Sequence, residues 1–444
     1  MVRVIRYKRN ALSLVVTIAV LLGALASSPG SSPKLSNATK ETVDDAYSLM
    51  LNTFYRPIEK GTLERGAVSG IVRYERSHHK PSTADERVPG SGAVYVERLI
   101  AQSSAKTGLP QKEVAYAAIA GMAGSAHDRW TVFLTPKDLQ EFSAPLNPPS
   151  IFGIGALVDI DRKTRYAKTL FVIPHGPADG AGLQTGDLIT SIDGVSTKGL
   201  AQRQVTGRLR GVRGSTVHVW AKAPSSTARE LTIVRNAVRT PTVFFNVIPN
   251  TSVGYIYVSA FGRPTAAEFT EALRRLDGRI TSLVLDLRDD GGGYVQAAVS
   301  VASHFVQSGP IVSSITRDGS VVTLASDDER PEVDVPTAVL VNGYTASASE
   351  IAAGALQDTS AAVLVGSRTF GKGVEQTLSY LPDGSAIKIT TARYLTPNNH
   401  DVNGIGLQPD RSCAAATKAQ RLGSNADPQL RCALSFLKRR APPK

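Results

Sequence analysis

A chain of 444 residues calls for two or three domains of roughly 100–200 residues rather than one core. An apolar fraction of 42% with 20% charge excludes a disordered or coiled-coil protein, and 38 glycines with 25 prolines, lacking any period, exclude collagen and point to many turns. The formal charge of +12 is mostly an end effect, because Arg3, Arg6, Lys8, Arg9, Lys438, Arg439, Arg440 and Lys444 leave about +4 for the rest, so no nucleic-acid partner is expected.

Basic residues 3–9 precede an uncharged apolar run of 16 residues, Ala11 to Ala26, which ends in Ala24-Leu25-Ala26. This is the pattern of an export leader with a signal-peptidase site, and the run is shorter than the ~20 residues that span a membrane comfortably. Cleavage after Ala26 is expected; retained, the leader would be a membrane tether. The protein is therefore read as exported, to the periplasm or cell envelope. That setting permits a disulfide between Cys413 and Cys432, with two buried thiols as the alternative.

Residues 27–147 read as a linker and a helical region. Val43, Ala46, Tyr47 and Met50 recur at intervals of three and four, a polar loop spans 76–92, and helix resumes near Val96–Leu99 and over Glu113–Met122. From 148 to 236 the character changes to short alternating runs punctuated by glycine: Ala156–Ile160, Lys168–Ile173, Asp187–Ile192, Val217–Ala221 and Leu231–Arg235. Gly176-Pro177-Ala178, Ala181-Gly182-Leu183, Gly186-Asp187 and Ile192-Asp193-Gly194 make this unit similar to a PDZ domain. The resemblance implies that Phe152, Gly153, Ile154 and Gly155 hold a peptide's terminal carboxylate through backbone N–H groups, while the peptide adds as a strand.

Residues 237–412 alternate strands (Val253–Val258, Ser282–Leu287, Ala338–Val341, Ala362–Val365) with helices (Thr265–Leu276, Ala348–Leu356), an α/β pattern. Residues 413–444 read as a basic tail segment. Three polar segments follow apolar strands, where α/β sites form: Asp286-Leu287-Arg288-Asp289-Asp290 with Gly291 to Gly293, Asn342 to Glu350, and Gly366 to Gly373. The last spells most of a phosphate-binding loop. It lacks the Ser or Thr that binds Mg²⁺, having Gly373 there, and a strand–turn–strand pattern follows instead of a helix.

The chemistry that suits these segments pairs Ser347 with Lys372. A serine hydroxyl needs a base, and a neutral amine can serve. Bringing lysine from about 10.4 to ~7–8 costs roughly 4 kcal/mol, which burial can supply. N–H groups at the start of the helix and in the triglycine turn are placed to stabilise an oxyanion. Ser349 and Glu350 read as helix-capping groups, Arg288, Asp289 and Asp290 equally as a salt-bridged turn or as substrate contacts, and His127 as packing or hydrogen bonding. The histidines are scattered, so no metal or other cofactor is expected.

Thr345-Ala346-Ser347-Ala348-Ser349-Glu350-Ile351, Thr369-Phe370-Gly371-Lys372-Gly373-Val374-Glu375-Gln376 with the lysine 25 residues after the serine, the Asp286-Leu287-Arg288 segment, and Gly404-Ile405-Gly406-Leu407-Gln408-Pro409-Asp410 together resemble the carboxyl-terminal processing (tail-specific) proteases. The similarity covers about residues 105–410 and includes His127 to Thr131. It implies a multidomain α/β fold: a crotonase-like α/β protease core, an inserted PDZ domain and an N-terminal helical region. It further implies serine endoproteolysis of protein or peptide substrates with exposed C-termini. Ser347 becomes the nucleophile, Lys372 the base, Gln376 the residue orienting the lysine, and Gly293 (or Gly292) with Ala348 the oxyanion donors. Asp358 matches an aspartate sometimes added to the set, but 11 residues of helix at 1.5 Å each put it about 16 Å from Ser347, where it would brace the helix end. Thr345 and Asp290-Gly291 depart from the usual Ser and Asn-Pro. Oligomeric state is left open.

Overall fold

The computed structural model describes residues 34–83, 89–147, 150–223, 226–327, 333–414 and 426–440. The expected leader and residues 84–88 of the polar loop lie outside them. Among the described residues no helix is long and apolar enough to cross a membrane. Two compact units account for the chain. Of the described residues, one comprises those within 34–141, 314–322 and 374–394, the other the remainder.

The first unit gathers the helices Asn37–Thr53, Lys60–Ser77, Gly92–Thr107 and Gln111–Ser125 around Val43, Met50, Leu63, Ile71, Leu99, Ile119 and Met122, all fully buried. Strand Val132–Leu134 pairs antiparallel with Ala386–Leu395, which pairs antiparallel with Val374–Tyr380, and Ile387 and Ile389 join the helical core. Helix Lys60–Ser77 has no counterpart in the sequence reading, because Gly66 and Gly70 thin its apolar face. Those glycines make its packing possible. A Cβ at Gly70 would sit 2.0 Å from the Ala117 carbonyl oxygen of helix Gln111–Ser125.

In the second unit, residues 156–234 form an antiparallel sheet in the order Ala156–Ile160, Ala167–Val172, Leu188–Ile192, Thr216–Lys222, Arg229–Val234. Val158, Ala167, Ile189, Ile192, Val217 and Val219 fill its core beneath helix Gln202–Leu209, through Val205 and Leu209. The five strands match the expected ones to within a residue or two at each end. Ala156–Ile160 is the sheet's edge, paired on one side with Ala167–Val172.

The rest of this unit is built on a six-stranded sheet. Val253–Val258, Ser282–Asp286, Thr337–Val341, Val363–Gly366 and Arg411–Ser412 run parallel, with Val243–Val247 antiparallel at one edge. Every residue of Ser282–Asp286 and Thr337–Val341 is buried, as continuous apolar runs require when both faces of a parallel sheet are covered. The segment read as a basic tail contributes to that cover. Helix Pro428–Arg440 sets Leu430, Ala433, Phe436 and Leu437 on Val284, Ala338, Leu340 and Val365, and Cys432 is disulfide-bonded to Cys413. The clustered charges of Lys438, Arg439 and Arg440 mask this apolar spacing in the sequence.

The small antiparallel domain meets helix Thr265–Leu276 through charge. Arg275 bonds Asp179 at 2.8 Å, and His175 lies 3.1 Å from Glu271. Phe171 adds edge-on contacts to Phe244 and Phe245.

Candidate active site

Strand Thr337–Val341 ends in a turn in which Thr345 donates to the Leu287 carbonyl, fixing one loop on its neighbour. Ser347 follows at the mouth of helix Ala348–Asp358, with φ 58° and ψ −120°. That conformation is rare for a residue with a side chain, and such strain is held only where the surroundings over-determine it. Here they do. The Ser347 N–H donates to Glu350 Oε2 (3.0 Å) and the Ala346 N–H to the Asp290 carbonyl (3.0 Å).

Glu350 is completely buried, and its carboxylate collects four donors. Oε2 takes the Ser347 N–H and the Lys372 N–H (2.8 Å), while Oε1 takes the Gly371 N–H (2.7 Å) and the Thr369 hydroxyl (2.5 Å). The main-chain nitrogens of Ser347 and Lys372 therefore converge on one oxygen atom. They can be no farther apart than two hydrogen bonds laid end to end. Both residues are half-buried. Sequence reading assigned Glu350 to capping alone. Its position three residues after Ser347 did signal the cap, but the lysine loop's three donors, 19 to 22 residues downstream, leave no local pattern.

The late glycine motif supports the lysine loop. Gly404 donates to the Gly371 carbonyl (2.8 Å), Leu407 to the Thr369 hydroxyl (2.6 Å), and Asp410 accepts from Leu364 N–H (2.7 Å) and Gln357 Nε2 (2.9 Å). After Lys372 the chain enters strand Val374–Tyr380, not a helix, so the phosphate-loop spelling lacks the geometry of one.

The turn after strand Ser282–Asp286 forms the facing wall. A Cβ at Gly292 would lie 2.8 Å from Ala348 N and 2.9 Å from Ser347 Cβ, and one at Gly293 would lie 2.2 Å from the Phe261 carbonyl oxygen. Larger residues would force the wall away from the serine. The Gly292 N–H is taken by Asp290 Oδ1 at 2.8 Å. Among the described residues, the N–H groups of Gly293 and Ala348 donate to no neighbour. These are the two expected oxyanion donors, and the Asp290 bond favours Gly293 over Gly292.

Arg288 is wholly buried and spent on structure. It bonds both oxygens of Asp286 (2.9 and 2.5 Å) and of Asp427 (3.0 and 2.7 Å), and Gln429 Oε1 at 3.1 Å. This resolves the even choice at Arg288 in favour of a salt-bridged turn. Tyr255 also donates to Asp286 at 2.5 Å, and burial, then the Asp286 charge, pushes its phenol well above its ordinary value. Asp358 closes the far end of helix Ala348–Asp358, accepting from the Thr396 hydroxyl and Asn398 N–H (2.9 Å), and so braces the helix. Gln376 belongs to the helical unit, where its amide donates to Val374 O (3.2 Å) and Thr390 Oγ1 (3.4 Å). His127 takes a left-handed φ of 49° in the same unit. Phe152 is exposed in strand Ser150–Gly153, and Ile154 is buried just before the edge strand, its carbonyl accepting the Ala178 N–H.

The fold and these loops are those of a serine-type peptidase. The profile of peptidase family S41 matches residues 252–413, and that of the PDZ domain residues 172–219. The chain belongs to the carboxyl-terminal-processing proteases of that family. It is 33% identical over 344 residues to a carboxyl-terminal-processing protease of Picosynechococcus, covering 76% of this chain and 83% of the relative. It is 31% identical over 294 residues to the carboxy-terminal processing protease CtpA of Bacillus subtilis, covering 66% and 62%. Among solved structures, the photosystem II D1 C-terminal processing protease is 28% identical, with 89% of this chain and all of that chain covered and a TM-score of 0.46.

Proposed function

We propose that the protein is an exported endopeptidase that captures the C-terminal tail of a protein substrate on its PDZ domain and cleaves it with a Ser347–Lys372 dyad. The observation that carries this is the shared Glu350 oxygen, which fixes the main chains of the would-be nucleophile and base together at the carboxyl ends of two parallel strands. Neutral Lys372 removes the hydroxyl proton as Ser347 attacks the scissile carbonyl carbon. The oxyanion is received by the Gly293 and Ala348 N–H groups, and the lysine returns the proton to the leaving amine. Water then hydrolyses the acyl-enzyme by the same steps in reverse.

The edge strand Ala156–Ile160, preceded by residues 152–155, supports tail capture, since a peptide can add to its open side. Exposed Tyr344, Phe370 and Ile405 in the loops around Ser347 and Lys372 suit apolar substrate side chains. The disulfide fits export through the leader expected at 1–26.

The test uses the protein and a Ser347→Ala variant with an unstructured substrate protein ending in apolar residues. Cleavage by the parent alone, with tail binding by both, is the expected result. Binding by both and cleavage by neither would instead mean a peptide-binding scaffold. Activity should rise with pH through a group titrating near 7–9 and vanish in Lys372→Arg, whose guanidinium cannot give up its proton.

A further inference from the structure

Asp290 stands where the family commonly has Asn, and it is fully buried. Its Oδ1 accepts the Gly292 N–H, and its main-chain oxygen accepts both the Ala346 N–H and the Ser349 hydroxyl (3.0 Å each). It thus touches both walls of the site, the glycine turn and the nucleophile turn. Its second carboxyl oxygen, Oδ2, is buried and has no hydrogen-bond partner among the described residues. An ionised carboxylate so placed would be a buried charge without a counter-ion, which is far more costly than a neutral acid.

We propose that Asp290 is a positioning residue that works as a neutral acid, clamping the Gly292–Gly293 turn onto Ser347 so that the Gly293 N–H faces the developing oxyanion. The proposal rests on the peptidase reading above. Among the described residues, the charged and titratable groups around Asp290 offer it no free cation. On its own segment, Arg288 is committed to Asp286 and Asp427, and Asp289 is a further anion, bonded by Asn342 Nδ2 at 2.9 Å. Tyr257, on strand Val253–Val258, is pushed up to about 12 by burial and then by Asp286, Asp290 and Asp289. The Glu350 carboxyl on the nucleophile helix already accepts from four donors, and Lys372 is the proposed base. Burial lifts Asp290 to about 8, against the Gly292 N–H and the Ser349 hydroxyl.

The sign follows. Below about pH 8 the acid is neutral and the clamp holds. Above it, a carboxylate opposes the oxyanion by like-charge repulsion and favours the ammonium form of Lys372. Activity that climbs as the lysine deprotonates should fall again on the alkaline side. Asp290→Asn keeps the acceptor and removes the titration, whereas Asp290→Ala removes the clamp.

Two measurements on the full-length protein test this. In kcat/KM profiles from pH 6 to 10, Asp290→Asn should stay at its plateau where the parent declines, and Asp290→Ala should lose about 10–100-fold in kcat at every pH with KM little changed. Infrared difference spectra between the parent and Asp290→Asn should show a protonated carboxyl at pH 7 that vanishes near pH 8, whether or not a substrate is turned over. An alkaline limb shared by parent and Asp290→Asn, or no protonated carboxyl at pH 7, overturns the proposal. If no Ser347-dependent hydrolysis occurs at any pH, the peptidase reading fails, and the infrared titration still decides the protonation of Asp290.

Discussion

Glu350 shows how much one buried carboxylate can organise. Glutamine there would keep one acceptor but turn its amide toward two of four donors, leaving buried N–H groups facing N–H groups. Glu350→Gln should therefore lower kcat/KM by at least about 100-fold, or ~2.7 kcal/mol at 1.36 kcal/mol per decade, mainly through kcat, as steady-state assays would show. Ser347, Lys372 and the triglycine turn stood out as candidates because a hydroxyl, an amine and glycines each leave a type and a spacing. Glu350's second role was not legible. It depends on main-chain N–H groups, which every residue carries, brought to the carboxylate by loops far apart in sequence. Asp290 was visible as a departure from the usual Asn, but that its Oδ2 has no partner among the described residues is a property of the packed turn.

At the scale of elements, strand and helix positions in the α/β region followed directly from apolar runs and 3.6-residue spacing. Thr265–Leu276 was anticipated to the residue, since Phe269, Leu273 and Leu276 share one face. Helix Lys60–Ser77 was not, because close helix contact selected glycines where the pattern needs large apolar side chains. The C-terminal helix was hidden by charge, yet it delivers Asp427 to Arg288. Arg288→Met would leave Asp286 and Asp427 buried without their cation and should cost about 3–5 kcal/mol. Asp427→Asn leaves the Arg288–Asp286 pair intact and should cost about 1–3 kcal/mol. Thermal denaturation of the two variants would check that order, and equal losses would contradict it.

For the molecule as a whole, the polar character of the PDZ contact matters most. Arg274, then Arg275, hold the Glu271 carboxyl down at about 2, and Arg275 lowers that of Asp179. Both carboxylates titrate below their ordinary range. Their contribution is thus complete above their ordinary range and is lost as pH falls through their lowered values, near 2 for Glu271. Asp179→Asn should loosen the contact at neutral pH as acid does in the parent. Faster amide exchange in helix Thr265–Leu276, with the sheet of residues 156–234 still protected, would report it.

The sulfur bridge has a reach beyond the two strands of chain it joins. Cys432 rides on the helix whose first turn carries Gln429 just after Asp427, so fastening that helix to Cys413 also steadies Asp427, one of the two counter-charges of the Arg288 guanidinium. Chains prepared with their thiols kept reduced should melt lower, by an amount equivalent to about 2–4 kcal/mol. They should also accumulate a form in which Arg288 has lost half its anionic cage. Reduction of one sulfur bridge would thus be felt at a buried ion cluster on the neighbouring strand ends.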